Sequence, residues 1–149
     1  MLLHHVAMAV KDMERSLAFY RDVLGLEVVT DSMLSGNPDL DRCVMEAGTV
    51  MRMAAVSDKE GRLIELQEWR NPPVLVRPPE HLKFRSTGLT EVCLSVPDLE
   101  KLEADLGKKG LTFRTPVWAV DFSDMPGIKT RMAHMLDPDG VQVQFIELP

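Results

Sequence analysis

Cysteine is scarce: only Cys43 and Cys93 occur in 149 residues. Neither has the spacing of a zinc site or of a disulfide framework. Each lies in an apolar stretch, so two buried thiols and a cytoplasmic setting are expected. Basic runs are missing as well, Lys108-Lys109 being the nearest approach to one. With a formal net charge of −6, the chain offers no basic face of the kind that releases counterions from a nucleic acid, and none for an anionic membrane surface. No apolar run approaches the ~20 residues that span a bilayer. The opening Met-Leu-Leu-His-His places no basic segment ahead of an apolar stretch, so no secretory leader is expected. Collagen-like or disordered composition is absent too: 45% of residues are apolar and 27% charged, near the averages of globular domains. A chain of this size buries a core without help from a disulfide or a metal. Its length points to one compact unit or two very small ones.

The chain instead contains two copies of one pattern. Residues 5–14 read HVAMAVKDME and residues 91–100 read EVCLSVPDLE, with Val6/Val92, Val10/Val96, Asp12/Asp98 and Glu14/Glu100 identical at an offset of 86. Residues 51–68 and 130–147 match at an offset of 79, with Arg52/Arg131, Met53/Met132, Ala54/Ala133, Asp58/Asp137, Gly61/Gly140 and Glu68/Glu147 identical. Two matches in the same order are much less readily produced by chance than one.

Each copy has the same coarse plan. Residues 2–10 alternate as a strand. Asp12 has the character of a helix N-cap, and Glu14 favours the positive end of the helix dipole. Leu17, Tyr20 and Leu24 follow at helical spacing, and Gly25 stops the helix. The second copy repeats this with a strand over 88–96, Asp98 as N-cap, Leu99, Leu102 and Leu106 on one face, and Gly107 and Gly110 as stops. Short strands are expected near 26–30 and 111–114. Each copy then closes on a hairpin, turning at 57–61 and at Asp137-Pro138-Asp139-Gly140. The predicted fold is α+β: two tandem βαβββ modules, 1–69 and 88–149, in one compact domain, joined by a Pro-rich linker over 70–87. The irregular middles, 31–46 and 115–129, hold Met33, Leu34, Trp118, Phe122 and Met125. These side chains either cap the core or cover a pocket.

A duplicated strand-helix-three-strand unit resembles the vicinal oxygen chelate superfamily, which includes glyoxalase I, methylmalonyl-CoA epimerase, extradiol dioxygenases and the bleomycin and fosfomycin resistance proteins. The opening HHVAMAVKDMERSLAFYRDVLGLEVV is similar to that family's first strand and helix. RLIELQEWRNP, GLTEVCLSVPDLE and LDPDGVQVQFIEL are similar to its fourth strand, fifth strand and last hairpin. The likeness covers essentially the whole chain. It implies cupped, largely antiparallel sheets with helices outside, and a site for a divalent metal (Mn, Fe, Ni, Co or Zn) with ligands on the first and fourth strands of each copy. Those positions here are His5, Glu65, Glu91 and Gln144. Glu147 lies three residues past the matching position, so it faces the other side of its strand.

The set departs from the family at Glu91, where His is usual, and at Gln144, where Glu is usual. Ring-cleavage and fosfomycin-type chemistry, which need two His and one Glu, lose ground. The content of one imidazole, two carboxylates and one amide equals that of a glyoxalase I, with the two halves exchanged. The resemblance therefore implies a metal-dependent isomerase, lyase or epimerase acting by proton transfer next to a carbonyl of a small oxygenated metabolite, in a homodimer. Glu91 is the first candidate to carry the proton and Glu65 the second. The competing expectation is a metal-free, ligand-binding cup similar to bleomycin resistance proteins, with Glu91 paired to an arginine. If residue 133 pairs with 144, Arg131 shares the face of Gln144, and by the repeat Arg52 shares the face of Glu65. Two roles are then open to them: clamping an anionic substrate group or offsetting the acidic site. In that register His134 points toward the helix and is structural, and His4 points away from His5. Met8, Met53 and Met132 are read as core.

Overall fold

A computed structural model describes residues 3–121 and 129–148. The chain divides into two compact units, Met1–Val76 and Arg77–Pro149. The first contains β1 (His5–Ala9), α1 (Met13–Leu17) running on into a π-helical turn (Ala18–Val23), β2 (Glu27–Ser35), α2 (Pro38–Val44), β3 (Val50–Ser57) and β4 (Leu63–Asn71). The second contains a 3₁₀ turn (Pro79–Leu82), β5 (Glu91–Ser95), α3 (Leu99–Lys108), β6 (Trp118–Asp121), β7 (Lys129–Leu136) and β8 (Gln142–Glu147). Each unit forms one four-stranded mixed sheet, in the orders β1-β4-β3-β2 and β5-β8-β7-β6. The first strand of each unit runs parallel to the last and the other pairs are antiparallel. Among the described residues no helix is long and apolar enough to cross a membrane.

The repeated residues explain why the two units fold alike. Asp12 caps α1 by accepting from Arg15 N at 2.9 Å, and Asp98 caps α3 by accepting from Lys101 N at 2.8 Å. Each helix buries its apolar stripe on one face of its sheet. In the first unit Met13, Leu17 and Tyr20 are buried, as are Ala54, Val56 and Leu66 of the sheet. In the second, Leu99, Leu106, Ala133, Val143 and Phe145 are buried, and the Phe113 and Phe145 rings lie 5.7 Å apart.

The hairpins are also copies. Asp137 accepts from Asp139 N and Val141 N, and Asp58 accepts from Glu60 N and Arg62 N. Gly140 and Gly61 follow at φ +89° and +81°. That left-handed residue costs any L side chain about 1–2 kcal/mol. At Gly140 an added Cβ would also stand 3.0 Å from Leu82 Cδ1, whereas at Gly61 it meets open space. Gly140→Ala is therefore expected to lose about 1–2 kcal/mol from strain plus a packing cost, and Gly61→Ala the strain alone. Urea unfolding of the two variants checks the order.

Several expectations are corrected. No strand forms over 111–114; the edge strand is β6, with Arg114 N instead donating to His134 O at 2.6 Å. The middle of the first unit holds α2, capped by Asn37, which accepts from Asp39 N and Leu40 N and is followed by Pro38 in the first turn. Cys43 and Cys93 are exposed rather than buried. Met33 and Trp118 are half exposed, and Phe122 and Met125 lie outside the described residues. The largest correction concerns the last hairpin. Residue 134, not 133, pairs with Gln144. Gly140 adds a left-handed residue to the turn, as in three-residue hairpin loops, and this shifts the pairing by one. A one-residue shift turns every side chain of β7 to the other face.

Candidate functional site

In the first unit the parallel pairing sets His5 beside Leu63 and Ala7 beside Glu65. His5 and Glu65 thus emerge on the face away from α1, with His5 Nε2 4.0 Å from Glu65 Oε2. Gln67, two residues along β4, donates to Glu65 Oε1 at 2.6 Å. His4 precedes the strand, so alternation does not govern it. Its Nδ1 meets Nδ1 of His5 at 2.9 Å, edge to face, instead of pointing away.

The second unit repeats this placement. Glu91 lies beside Gln142 and Cys93 beside Gln144, as His5 and Ala7 do beside their β4 partners. The corrected register brings His134 to the same face. Gln144 Nε2 lies 3.0 Å from His134 Nε2, and Cys93 Sγ donates to Gln144 Oε1 at 3.1 Å. Glu91 Oε2 is 3.9 Å from His134 Nε2, is buried, and has no hydrogen-bond partner among the described residues. Cys93 is exposed as a residue, but desolvation of its thiol by the neighbouring side chains, and then the charge of Glu91, push that thiol up from its ordinary value. His134 is the residue that sequence reasoning missed. The glycine of the Asp-Pro-Asp-Gly turn was its signal, because it sets the hairpin register.

The two arginines face the opposite way. Arg52 lies across from Glu68 and Arg131 across from Glu147, on the helix side of each sheet. Arg52 donates to Asp31 at 2.9 and 2.7 Å and to Glu14 at 2.6 Å. Arg131 donates to Glu100 and to Glu147. Glu68 accepts from Met13 N at 3.3 Å and Glu147 from Leu99 N at 2.7 Å. The duplicated Arg-Glu-Glu groups therefore clasp each helix N-terminus to its sheet. The hydrogen bonds from Arg52 hold Asp31 below the usual carboxylate range, and those from Arg131 do the same for Glu100. The register that placed Arg52 and Arg131 beside Glu65 and Gln144 is not the one formed.

A cavity of about 870 Å³ opens within the second unit. Phe84, Arg114, Thr115, Trp118, His134 and Gln142 are among the residues lining it. Its volume is that of small-molecule sites, and through His134 it adjoins the Glu91 cluster.

Comparison with known proteins agrees with this architecture. The model of the Glyoxalase/Bleomycin resistance protein/Dioxygenase superfamily matches residues 2–145, and the chain belongs to that superfamily. Among curated proteins, it is 25% identical over 150 residues to a lactoylglutathione lyase of Schizosaccharomyces pombe, across 97% of this chain and 46% of that protein. The chain thus spans less than half of that relative's length. Among solved structures it is similar to a glyoxalase family protein from Bacillus cereus (TM-score 0.75, 17% identity, 98% of this chain and 93% of that one). A second is a glyoxalase family protein from Enterococcus faecalis (TM-score 0.67, 22% identity, 98% and 97%).

Proposed function

We propose that this protein is a glyoxalase-like, metal-dependent isomerase, lyase or epimerase that moves a proton on and off the carbon beside a carbonyl of a small oxygenated metabolite. The observation that supports this reading most is the buried, unpartnered oxygen of Glu91. A carboxylate oxygen withdrawn from water needs a cation, a proton or a donor, and none is at hydrogen-bond distance among the described residues. Its nearest neighbour, His134 Nε2, is 3.9 Å away.

The spacing of His5 and Glu65 suits two ligands of one divalent ion. Two ligands each at about 2.1 Å from an ion stand roughly 3 Å apart when adjacent and about 4 Å apart when opposite. The 4.0 Å between His5 Nε2 and Glu65 Oε2 lies within that range. In this reading His5, Glu65, Glu91 and Gln144 are the ligands, a mixed nitrogen and oxygen set that suits Mn, Fe, Co, Ni or Zn. A bound ion supplies Lewis-acid polarisation of a carbonyl oxygen.

The chain's own groups then divide the remaining work. Glu91 takes the proton from carbon and returns it. Glu65 is held in place by the Gln67 amide, which donates to its Oε1, so it holds rather than transfers. Cys93 and His134 fix the Gln144 amide from both ends. Arg52 and Arg131, which face the helices, have no part in the step.

Elemental analysis of protein purified without chelator, incubated with Mn, Co, Ni or Zn and then desalted, tests the proposal. One tightly held ion per chain is expected, lost in His5→Ala and in Glu91→Ala. Failure of the wild-type protein to retain any of the four would favour the second reading, a metal-free ligand-binding protein, for which the cavity beside His134 speaks. If metal is retained, lactoylglutathione is the first substrate to incubate in D₂O, with exchange beside the carbonyl followed by NMR.

A further inference from the structure

Three of the exposed large apolar side chains of the second unit, Phe84, Trp118 and Leu136, line one cavity. They are 50%, 46% and 41% exposed. Apolar groups scattered singly over a surface need no explanation, but apolar groups gathered in a concavity mark a binding site. The walls have a defined geometry. The Trp118 and His134 rings are 6.3 Å apart with 20° between their planes. The Phe84 ring stands 6.0 Å from His134 at 83°. Near-parallel planes with a perpendicular edge offer a flat ring both offset-stacked and edge-to-face contacts.

The charge of the lining selects the ligand further. The chain carries a net charge of −6, yet the charged residues that line this cavity are Lys83 and Arg114, with no Asp or Glu among them. Neither cation pairs with a carboxylate among the described residues. Thr115, between Arg114 and Pro116 in the same wall, has a buried hydroxyl oxygen with no hydrogen-bond partner among those residues. A buried hydroxyl left unpaired is costly, and a ligand oxygen would remove that cost. Glu91, the carboxylate nearest through His134, would repel an anion placed deeper. The anionic end therefore belongs at Arg114.

We propose that this cavity binds a flat, aromatic or conjugated organic anion, with its ring against Trp118, His134 and Phe84 and its carboxylate at Arg114 and the Thr115 hydroxyl. The proposal names the substrate class of the face that carries Glu91. It rests on the proton-transfer reading for any turnover, while the binding itself needs no metal.

Isothermal titration of the full chain with 2-naphthoate and with its neutral isostere 2-naphthalenemethanol, each in EDTA and in MnCl₂, tests it. The expected result is a dissociation constant for naphthoate below about 1 mM in EDTA, with the alcohol at least about tenfold weaker. Arg114→Gln should bring naphthoate down about tenfold, to the level of the alcohol, and Trp118→Leu should weaken both ligands. Both substituted side chains are exposed, and circular dichroism verifies that the variants fold. Equal affinity for acid and alcohol, an unchanged Arg114→Gln variant, or no heat up to about 5 mM naphthoate would overturn the proposal. Metal uptake without naphthoate binding sinks this inference alone. Naphthoate binding in a protein that retains no metal sinks the proton-transfer reading alone.

Discussion

Replacing Glu91 with glutamine is expected to weaken divalent-metal binding by about 100-fold or more, and to make the metal-free protein more stable. Loss of a group that merely orients a ligand costs 10- to 100-fold in affinity, and loss of a charged ligand costs at least as much. The gain in stability follows from the buried, unpartnered oxygen of Glu91. Glutamine keeps the shape and removes the charge, so no charged oxygen is left buried without a partner. The two effects separate a functional carboxylate from a structural one. A Glu91 that existed to hold His134 would leave metal affinity untouched and lower stability when neutralised. Competition against a chelating dye reads the first effect, and urea unfolding in EDTA reads the second.

Phe145→Ala is expected to destabilise the protein by about 3–5 kcal/mol, the range for a fully buried aromatic side chain cut back to its Cβ. Phe145 is 1% exposed, and its ring lies against that of Phe113. Gln144, next in sequence, points to the opposite face, so Gln144→Ala removes little buried apolar surface and is expected to cost about 1 kcal/mol or less. The contrast between adjacent residues tests the face assignment on which the site depends. Equal effects would mean that β8 does not alternate between core and site. Denaturant midpoints of both variants supply the comparison.

The fold was legible in the sequence because the duplicated residues each have a local job. Asp12 and Asp98 cap helices, Asp58 and Asp137 close turns, and Gly61 and Gly140 occupy left-handed positions. Such roles act within a few residues, so spacing reveals them. α2 was legible too, in Asn37-Pro38-Asp39, but it lay inside a segment read as irregular. The site was harder, because it depends on which face a strand turns outward. That depends on the parity of a hairpin, and one left-handed glycine changes the parity.

Reading the last turn with one residue fewer placed Arg131 on the face of Gln144 and His134 behind it. The structure reverses both. That register set Arg52 and Arg131 beside Glu65 and Gln144 and left them two roles, clamping an anion or offsetting the acidic site. Their partners, Glu14 with Asp31 in one unit and Glu100 with Glu147 in the other, show that the recurrence belongs to the helix clasp. Glu147 illustrates the same point: by residue type it suits a metal, but it accepts from the backbone of Leu99 on the helix side.

In the proposed metal site His5 and Glu65 of the first unit serve the same ion. Cobalt(II) titration of protein with ¹⁵N-labelled histidine, followed by NMR, addresses this directly. Hyperfine-shifted signals from the His5 ring that saturate at one equivalent of cobalt, and that vanish in Glu65→Ala, are the predicted result. Signals from His5 that persist unchanged in Glu65→Ala, or a His5 ring that never responds to cobalt, would contradict it.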